Sequence, residues 1–314
     1  MAKRSDPIRL LCQDKLLKVN PDTLKLYEKY QIDMSIRDLA LTSIDSYNND
    51  LQNWFIYVLD HQFNACVTDL TDEDITEFLY FCKKQGNNSR RMKRRMASIS
   101  AFYKFLRKKK HIVENPMEFM ERPKKDTDVT VQTYFSKEQV QMIRERFSDP
   151  KELQTLLYAL FSLSTMARVT AVSSIKWDQI DFDLRVVNEV LEKEGKIVTL
   201  YFSEEVRDLL LKLKAEREEN GVICEYVFMV RTGQKADSGA LYNWCKRIGE
   251  AIGVPTAHPH DFRHSGSQLL SVAGCPIEVI SELLSHSGLD VTKKHYLIQD
   301  KKKMQSAKDK YAIV

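Results

Sequence analysis

The stretch His258-Pro259-His260-Asp261-Phe262-Arg263-His264-Ser265, followed by Ser285-His286-Ser287 and then Tyr296, gathers side chains suited to handling a phosphate. In His260-x-x-Arg263 the spacing sets an imidazole and a guanidinium about one helical turn apart, on one side of a helix. Arginine offers a fork of donors matched to phosphate oxygens, histidine donates once more or moves a proton, and Tyr296 supplies a hydroxyl. The apolar residues among them (Leu269, Leu270, Val272, Ile277, Val279, Ile280, Leu283, Leu284) must be buried, so a core holds the display in place.

Upstream, Arg168 follows a strongly apolar run, Leu153 to Ser164, and Lys193 sits in the turn Glu192-Lys193-Glu194-Gly195-Lys196. Taken singly, each of these residues has an ordinary explanation. Arg168 could answer a helix C-terminal dipole, Lys193 could be a solvated turn lysine, His260 or His286 a structural histidine, and Tyr296 is one of 13 tyrosines. Only the set is informative.

The elements that must position this set are mostly helices. At 314 residues the chain is long enough for two domains, each with its own core. Plentiful charge and scarce glycine and proline favour helix over a sandwich or barrel. The net charge of +4 is only mildly basic, so any case for a nucleic-acid partner rests on local clustering. Six scattered cysteines, with no Cys-x-x-Cys and no Cys/His cluster at zinc spacing, read as reduced and predict no metal site. No signal peptide and no membrane-length apolar run is visible, and the expectation is a cytoplasmic protein with no membrane partner.

Residues 1–36 read as a charged lead-in with one amphipathic piece. From 37 to 122 the 3.6-residue period is clear. Ile44, Tyr47, Leu51, Trp54, Phe55, Val58 and Leu59 share one helix face, capped by Thr42 or Ser43. Thr71-Asp72-Glu73-Asp74 opens a second helix with a capping box. A third begins near Asn88-Ser89 and carries Met92, Met96, Ile99, Phe102, Tyr103 and Leu106 inward. Residues 123–134 read as a linker. Residues 135–314 read as a mostly helical domain with a β-hairpin, Val186 to Leu191 and Ile197 to Phe202, a possible short strand at Tyr226 to Val230, and a basic, partly apolar tail.

The third helix is dense in positive charge. Arg90, Arg91, Lys93, Arg94, Arg95, Lys104 and Arg107 occur with no acidic residue between Ser89 and Lys110. Like charges at i,i+4 repel, and phosphates relieve that repulsion. These seven residues are therefore the candidate DNA-binding set.

In order and spacing, Arg168, Lys193, His260, Arg263, His286 and Tyr296 resemble the catalytic set of the tyrosine recombinase, or phage integrase, family. The flanking text agrees: Ile175-Lys176-Trp177-Asp178-Gln179-Ile180, Pro259-His260-Asp261-Phe262-Arg263-His264-Ser265 and Leu284-Ser285-His286-Ser287. Ile44-x-x-Tyr47-x-x-x-Leu51-x-x-Trp54-Phe55 and Ile99-x-x-Phe102-Tyr103-x-Phe105-Leu106, closed by Asn115-Pro116, are similar to the family's core-binding domain. The resemblance implies an N-terminal all-helical, SAM-like core-binding domain and a mainly α catalytic domain with a small antiparallel sheet. It implies an Xer-like or small mobile-element enzyme, prokaryotic or phage, acting on double-stranded DNA without cofactor. Protomers would assemble as a tetrameric synapse, with the C-terminal tail docked on a neighbour or on its own domain, and an accessory directionality factor is a further candidate partner. Four departures stand out: Ala171 where a glutamate is usual three residues after the arginine, Gly266-Ser267 where an aromatic is common, Lys196 as a rival to Lys193, and a His286-to-Tyr296 interval one residue longer than in many members. A DNA-binding regulator that keeps the fold without recombining is the alternative reading.

The chemistry fits that implication. A tyrosine hydroxyl with an ordinary pKa near about 10 is a poor nucleophile at neutral pH and needs nearby positive charge. Attack on a phosphodiester builds charge on the non-bridging oxygens, which Arg168 and Arg263 would bind. His286 donates a further hydrogen bond, His260 assists proton movement, and Lys193 protonates the departing 5′ oxygen.

Overall fold

A computed structural model of the chain describes residues 12–124, 133–192 and 195–284. Lys193, His286 and Tyr296 lie outside the described residues, as do the linker's centre and the C-terminal tail. The chain divides into two units, Met1–Val129 and Thr130–Val314. It is mainly helical, with one three-stranded antiparallel sheet in the second unit.

The first unit contains α1 (Gln13–Leu16), α2 (Pro21–Ile36), α3 (Leu41–His61), α4 (Asp72–Lys84) and α5 (Ser89–Lys108). Asn20 starts α2 by accepting the amides of Asp22 and Thr23, with Pro21 at the first helical position. Leu26, Tyr27, Tyr30 and Met34 of α2 are buried in the same core as α3 and α5, so this part of the lead-in belongs to the packed unit. The α3 helix begins earlier than its hydroxyl residues suggest. Ala40 occupies the N-cap without a side-chain cap, and Thr42 and Ser43 lie inside the first turn. The capping box at Thr71 and Asp74 forms as the sequence predicts. Trp54, Phe55, Phe102 and Tyr103 fill the centre, with Trp54 and Tyr103 rings 5.7 Å apart. Truncating any of these to alanine costs about 3–5 kcal/mol in a typical core. The buried Tyr103 hydroxyl donates to the carbonyl oxygen of Val67 at 2.9 Å, so the ring is polar-satisfied as well as packed.

The second unit is built from α6 (Lys137–Arg146), α7 (Leu153–Thr165), α8 (Val169–Ser173), β1 (Ile180–Asp181), β2 (Val186–Leu191), β3 (Ile197–Tyr201), α9 (Glu204–Glu219), α10 (Ser238–Ala251), α11 (Pro259–Val272) and α12 (Ile277–Leu283). The sheet order is β1-β2-β3, antiparallel throughout. A bulge between Val187 and Val190, with Glu189 at φ 54°, turns both valines to the core, which strict alternation forbids for positions three apart. The segment from Tyr226 to Val230 forms no strand. It makes isolated bridges, Lys176 to Tyr226 and Met229 to Lys235, and buries Val227 and Phe228 between them. The uncharged and mostly buried α7 is the central helix, and Leu157, Tyr158, Phe161 and Leu163 are buried in the main core.

Candidate active site

Two breaks in helix geometry bring the described candidates together. The first is at the end of α7, where Met166 adopts a left-handed conformation, φ 54° and ψ 24°, and its amide caps the helix on Ser162. A left-handed non-glycine residue costs about 1–2 kcal/mol, and here the burial of Met166 against Ile280 and Leu284 offsets it. The turn leaves Arg168 at the N-cap of α8, with extended backbone and a guanidinium that can swing clear of both helices. The helix-dipole role open to Arg168 from sequence does not apply.

The second break is the start of α11. Pro259 fixes the first helical position, the His258 amide donates to Asp261 Oδ2 at 2.9 Å, and His258 Nδ1 lies 3.3 Å from Asp261 Oδ1. Asp261 is buried, and burial raises its carboxyl pKa while the His258 contacts pull it down. His260 and Arg263 therefore stand in the first two turns of one helix, on one side.

Arg263 is fully buried. Its Nη1 donates to the carbonyl oxygen of Met166 at 2.6 Å and its Nη2 to that of Leu284 at 2.7 Å. The strained turn and the end of α12 are thus both anchored to it. Arg168, part exposed, donates through Nη1 to the carboxylate of Glu192, the residue directly after β2. The other Glu192 oxygen lies 4.0 Å from Arg263 Nη1. The two arginines predicted to share a phosphate accordingly meet at one carboxylate. Desolvation at the helix start, then the positive charges of His258, Arg263 and Arg168, hold the His260 imidazole below its ordinary pKa.

Sequence reasoning missed Glu192 and Met166. Glutamate beside a turn looks like any solvated turn residue, and the left-handed position that favours glycine carries methionine here, so neither gave a signal. Among the described residues no group of His, Cys, Asp or Glu could hold a metal ion, and no helix is long and apolar enough to cross a membrane.

The candidate DNA-binding residues of α5 do not behave alike. Arg90, Arg94, Lys104 and Arg107 are exposed and Lys93 half-buried. Arg91 Nη2 and Arg94 Nε lie 2.9 and 3.2 Å from the buried carboxylate of Asp50, which also accepts the Ser98 hydroxyl at 3.0 Å. Arg95 is only 9% exposed and stacks over Phe78, 5.6 Å from its ring centre. Its long stem and flat guanidinium suit it to the core face, so the charge run is not one solvated surface. Lys104 and Arg107 line a groove with Met96, Ser100 and Arg122, and Arg107 pairs with Glu118 at 2.8 Å.

The phage integrase family matches residues 133–303, more than half of the chain, and the phage integrase N-terminal SAM-like domain matches residues 27–110. The chain is 27% identical over 273 residues to the tyrosine recombinase XerC of Leptospira interrogans, covering 86% of each protein. It is 26% identical over 273 residues to the tyrosine recombinase XerD of Oceanobacillus iheyensis, covering 82% of this chain and 87% of that one. Its fold is similar to that of the Tn1549 transposon integrase in complex with transposon right-end DNA, with a TM-score of 0.68, 15% identity and coverage of 92% and 99%. It is also similar to a lambda integrase dimer bound to a core site, with a TM-score of 0.66, 16% identity and coverage of 84% and 95%. The chain belongs to the phage integrase family of tyrosine recombinases.

Proposed function

We propose that the chain is a site-specific DNA recombinase that cleaves and rejoins duplex DNA through a 3′-phosphotyrosyl intermediate. The observation that carries this reading is the meeting of Arg168 and Arg263, from different segments, at one anionic group beside His260. Two guanidiniums within 4.0 Å of one carboxylate, one hydrogen-bonded to it and the other beside it, can also serve the non-bridging oxygens of a phosphodiester. The Tyr296 oxygen attacks phosphorus, the bond to the 5′ oxygen breaks, and Lys193, or Lys196 on the same turn, delivers the proton that makes the 5′-hydroxyl. His286 donates a further hydrogen bond to the phosphate, and His260 relays protons. Reversal by another strand's 5′-hydroxyl rejoins the DNA, so bond energy is kept and no cofactor is consumed. The SAM-like unit supplies phosphate contacts through α5.

The finer reading has protomers pairing on two half-sites and forming a tetramer, with an accessory protein biasing direction. Incubation with nicked duplexes from a random-sequence pool tests the core of it, because loss of the short strand traps the intermediate. A covalent adduct with the intact chain and none with Tyr296→Phe, at equal non-covalent binding, is expected. DNA binding without any adduct would leave the regulator reading.

A further inference from the structure

Glu192 takes no part in the chemistry above, yet among the described residues it is the acidic side chain that approaches both arginines. Its backbone N–H donates to the carbonyl oxygen of Lys196 at 2.8 Å, which closes the turn that bears both candidate lysines. Its side chain is 3% exposed, against 30% for Arg168, so the carboxylate approaches the guanidinium from the protein side and leaves the solvent side open. A solvated turn glutamate would point outwards, because glutamate is almost never buried without a partner. The helix that Arg168 caps offers no carboxylate of its own, since Ala171 stands one turn on.

Two guanidiniums repel each other, and an arginine stem is freely jointed. A single negative charge between them lowers that repulsion while the site stays net positive towards an arriving phosphate. Holding one edge of the Arg168 fork also pre-sets the other edge, and fixed donors stabilise a transition state without reorganising during the reaction. Because the same residue closes the lysine-bearing turn, the guanidinium and the proton donor share one anchor.

We propose that Glu192 is a positioning residue for strand cleavage: from the buried side it orients Arg168 beside Arg263 and ties the Lys193–Lys196 turn to that guanidinium. The proposal rests on the recombinase reading above. On a nicked suicide duplex recovered from the random pool, Glu192→Gln slows adduct formation by about tenfold or more, with non-covalent half-site binding within about threefold of the parent. Replacing the scissile phosphate by a methylphosphonate removes the charge that Arg168 meets, so most of the deficit disappears there. An equal deficit on both substrates, no deficit, or a faster reaction overturns the proposal; the last would make Glu192 an anion that merely fills the phosphate seat. A second measurement does not depend on cleavage: the melting temperatures of Arg168→Ala, Glu192→Gln and the double variant. The double variant should melt well above the sum of the two single losses, because Arg168→Ala alone strands a buried charge. Additive losses overturn the pairing even in a chain that never cuts DNA, whereas absence of any adduct from the intact chain overturns the recombinase reading instead. Glu192→Asp, charged but one methylene shorter, serves both measurements where Glu192→Gln does not fold.

Discussion

Gly266 of α11 lies directly against the carbonyl oxygen of Leu163 in α7: a β-carbon there would stand 2.2 Å from that oxygen and 2.8 Å from Met166 Cγ. This closeness lets Arg263, one turn earlier on α11, reach the Met166 carbonyl oxygen. Alanine is the better helix former by about 1 kcal/mol, but the obstructing atom is backbone and cannot swing away. Gly266→Ala is therefore expected to lower stability by about 1–3 kcal/mol and to shift Arg263 off the shared anion. Thermal melts and adduct yield check it, and a more stable, fully active variant would show that the helices separate at no cost.

Asp50 organises the start of α5 much as Glu192 organises the arginine pair. Its carboxylate is wholly buried under Arg91 and Arg94, whose own side chains are 31% and 45% exposed. Asp50→Ala leaves the clustered arginines uncompensated, and solvent screening of both partners holds the expected loss to about 2–3 kcal/mol. Chemical denaturation of the variant measures it. A loss under about 0.5 kcal/mol would mean that the arginines find water as readily as they find Asp50.

Much of this architecture was legible because its determinants are local. The 3.6-residue period placed Leu51, Trp54, Phe55, Ile99, Phe102 and Leu106 in one core, and they are buried there. Gly195 marked the hairpin turn, and its φ of 74° shows why glycine stands there. Illegible features depend on distant partners. The bulge at Glu189 exists because Val187 and Val190 must both face the core, and no turn residue announces it. Arg95 reads as one more member of a basic run, and only the packing of α4 against α5 shows that Phe78 lies beneath it. The site was half legible for the same reason: residue types gave Arg168, His260 and Arg263, while the left-handed Met166 and the carboxylate between the arginines arise from tertiary closure.

The lowered pKa of His260 has a sign that can be followed. Neutral imidazole is favoured in the folded protein, so the unfolded chain binds more protons just below about pH 6.5. Stability contributed by this group is present above that value and is lost as pH falls towards the folded pKa. Adduct formation that needs neutral His260 should keep its rate down to pH values under the ordinary histidine range, then fall. Arg168→Gln removes one of the charges that depress the pKa and should move the acid limb upward. A pH–rate profile of residual adduct formation checks both, and a limb unmoved by Arg168→Gln would assign it to another group.

The basic run on α5 divides into residues that solvent can reach and residues that the core has taken, and the two groups should fail differently. Arg90, Lys93 and Lys104 fall on one side of the helix, at steps of three and then eleven residues, whereas Arg95 faces Phe78. Phosphate contacts carry affinity with little base information, and each one lost lowers the slope of log affinity against log salt by about 0.9. Reversing Arg90, Lys93 and Lys104 to glutamate should weaken binding to every DNA sequence alike, cut the slope by about 2 to 3, and leave the melting temperature nearly unchanged. Arg95→Glu should do the opposite, unfolding the unit by setting a buried carboxylate against the face of Phe78, while a folded remnant keeps its salt slope. Binding titrations at several salt concentrations, paired with melts, separate the two. An unchanged slope in the triple variant would make the stripe an ordinary solvated face, because charges that touch phosphates cannot be inverted without altering the number of counterions released.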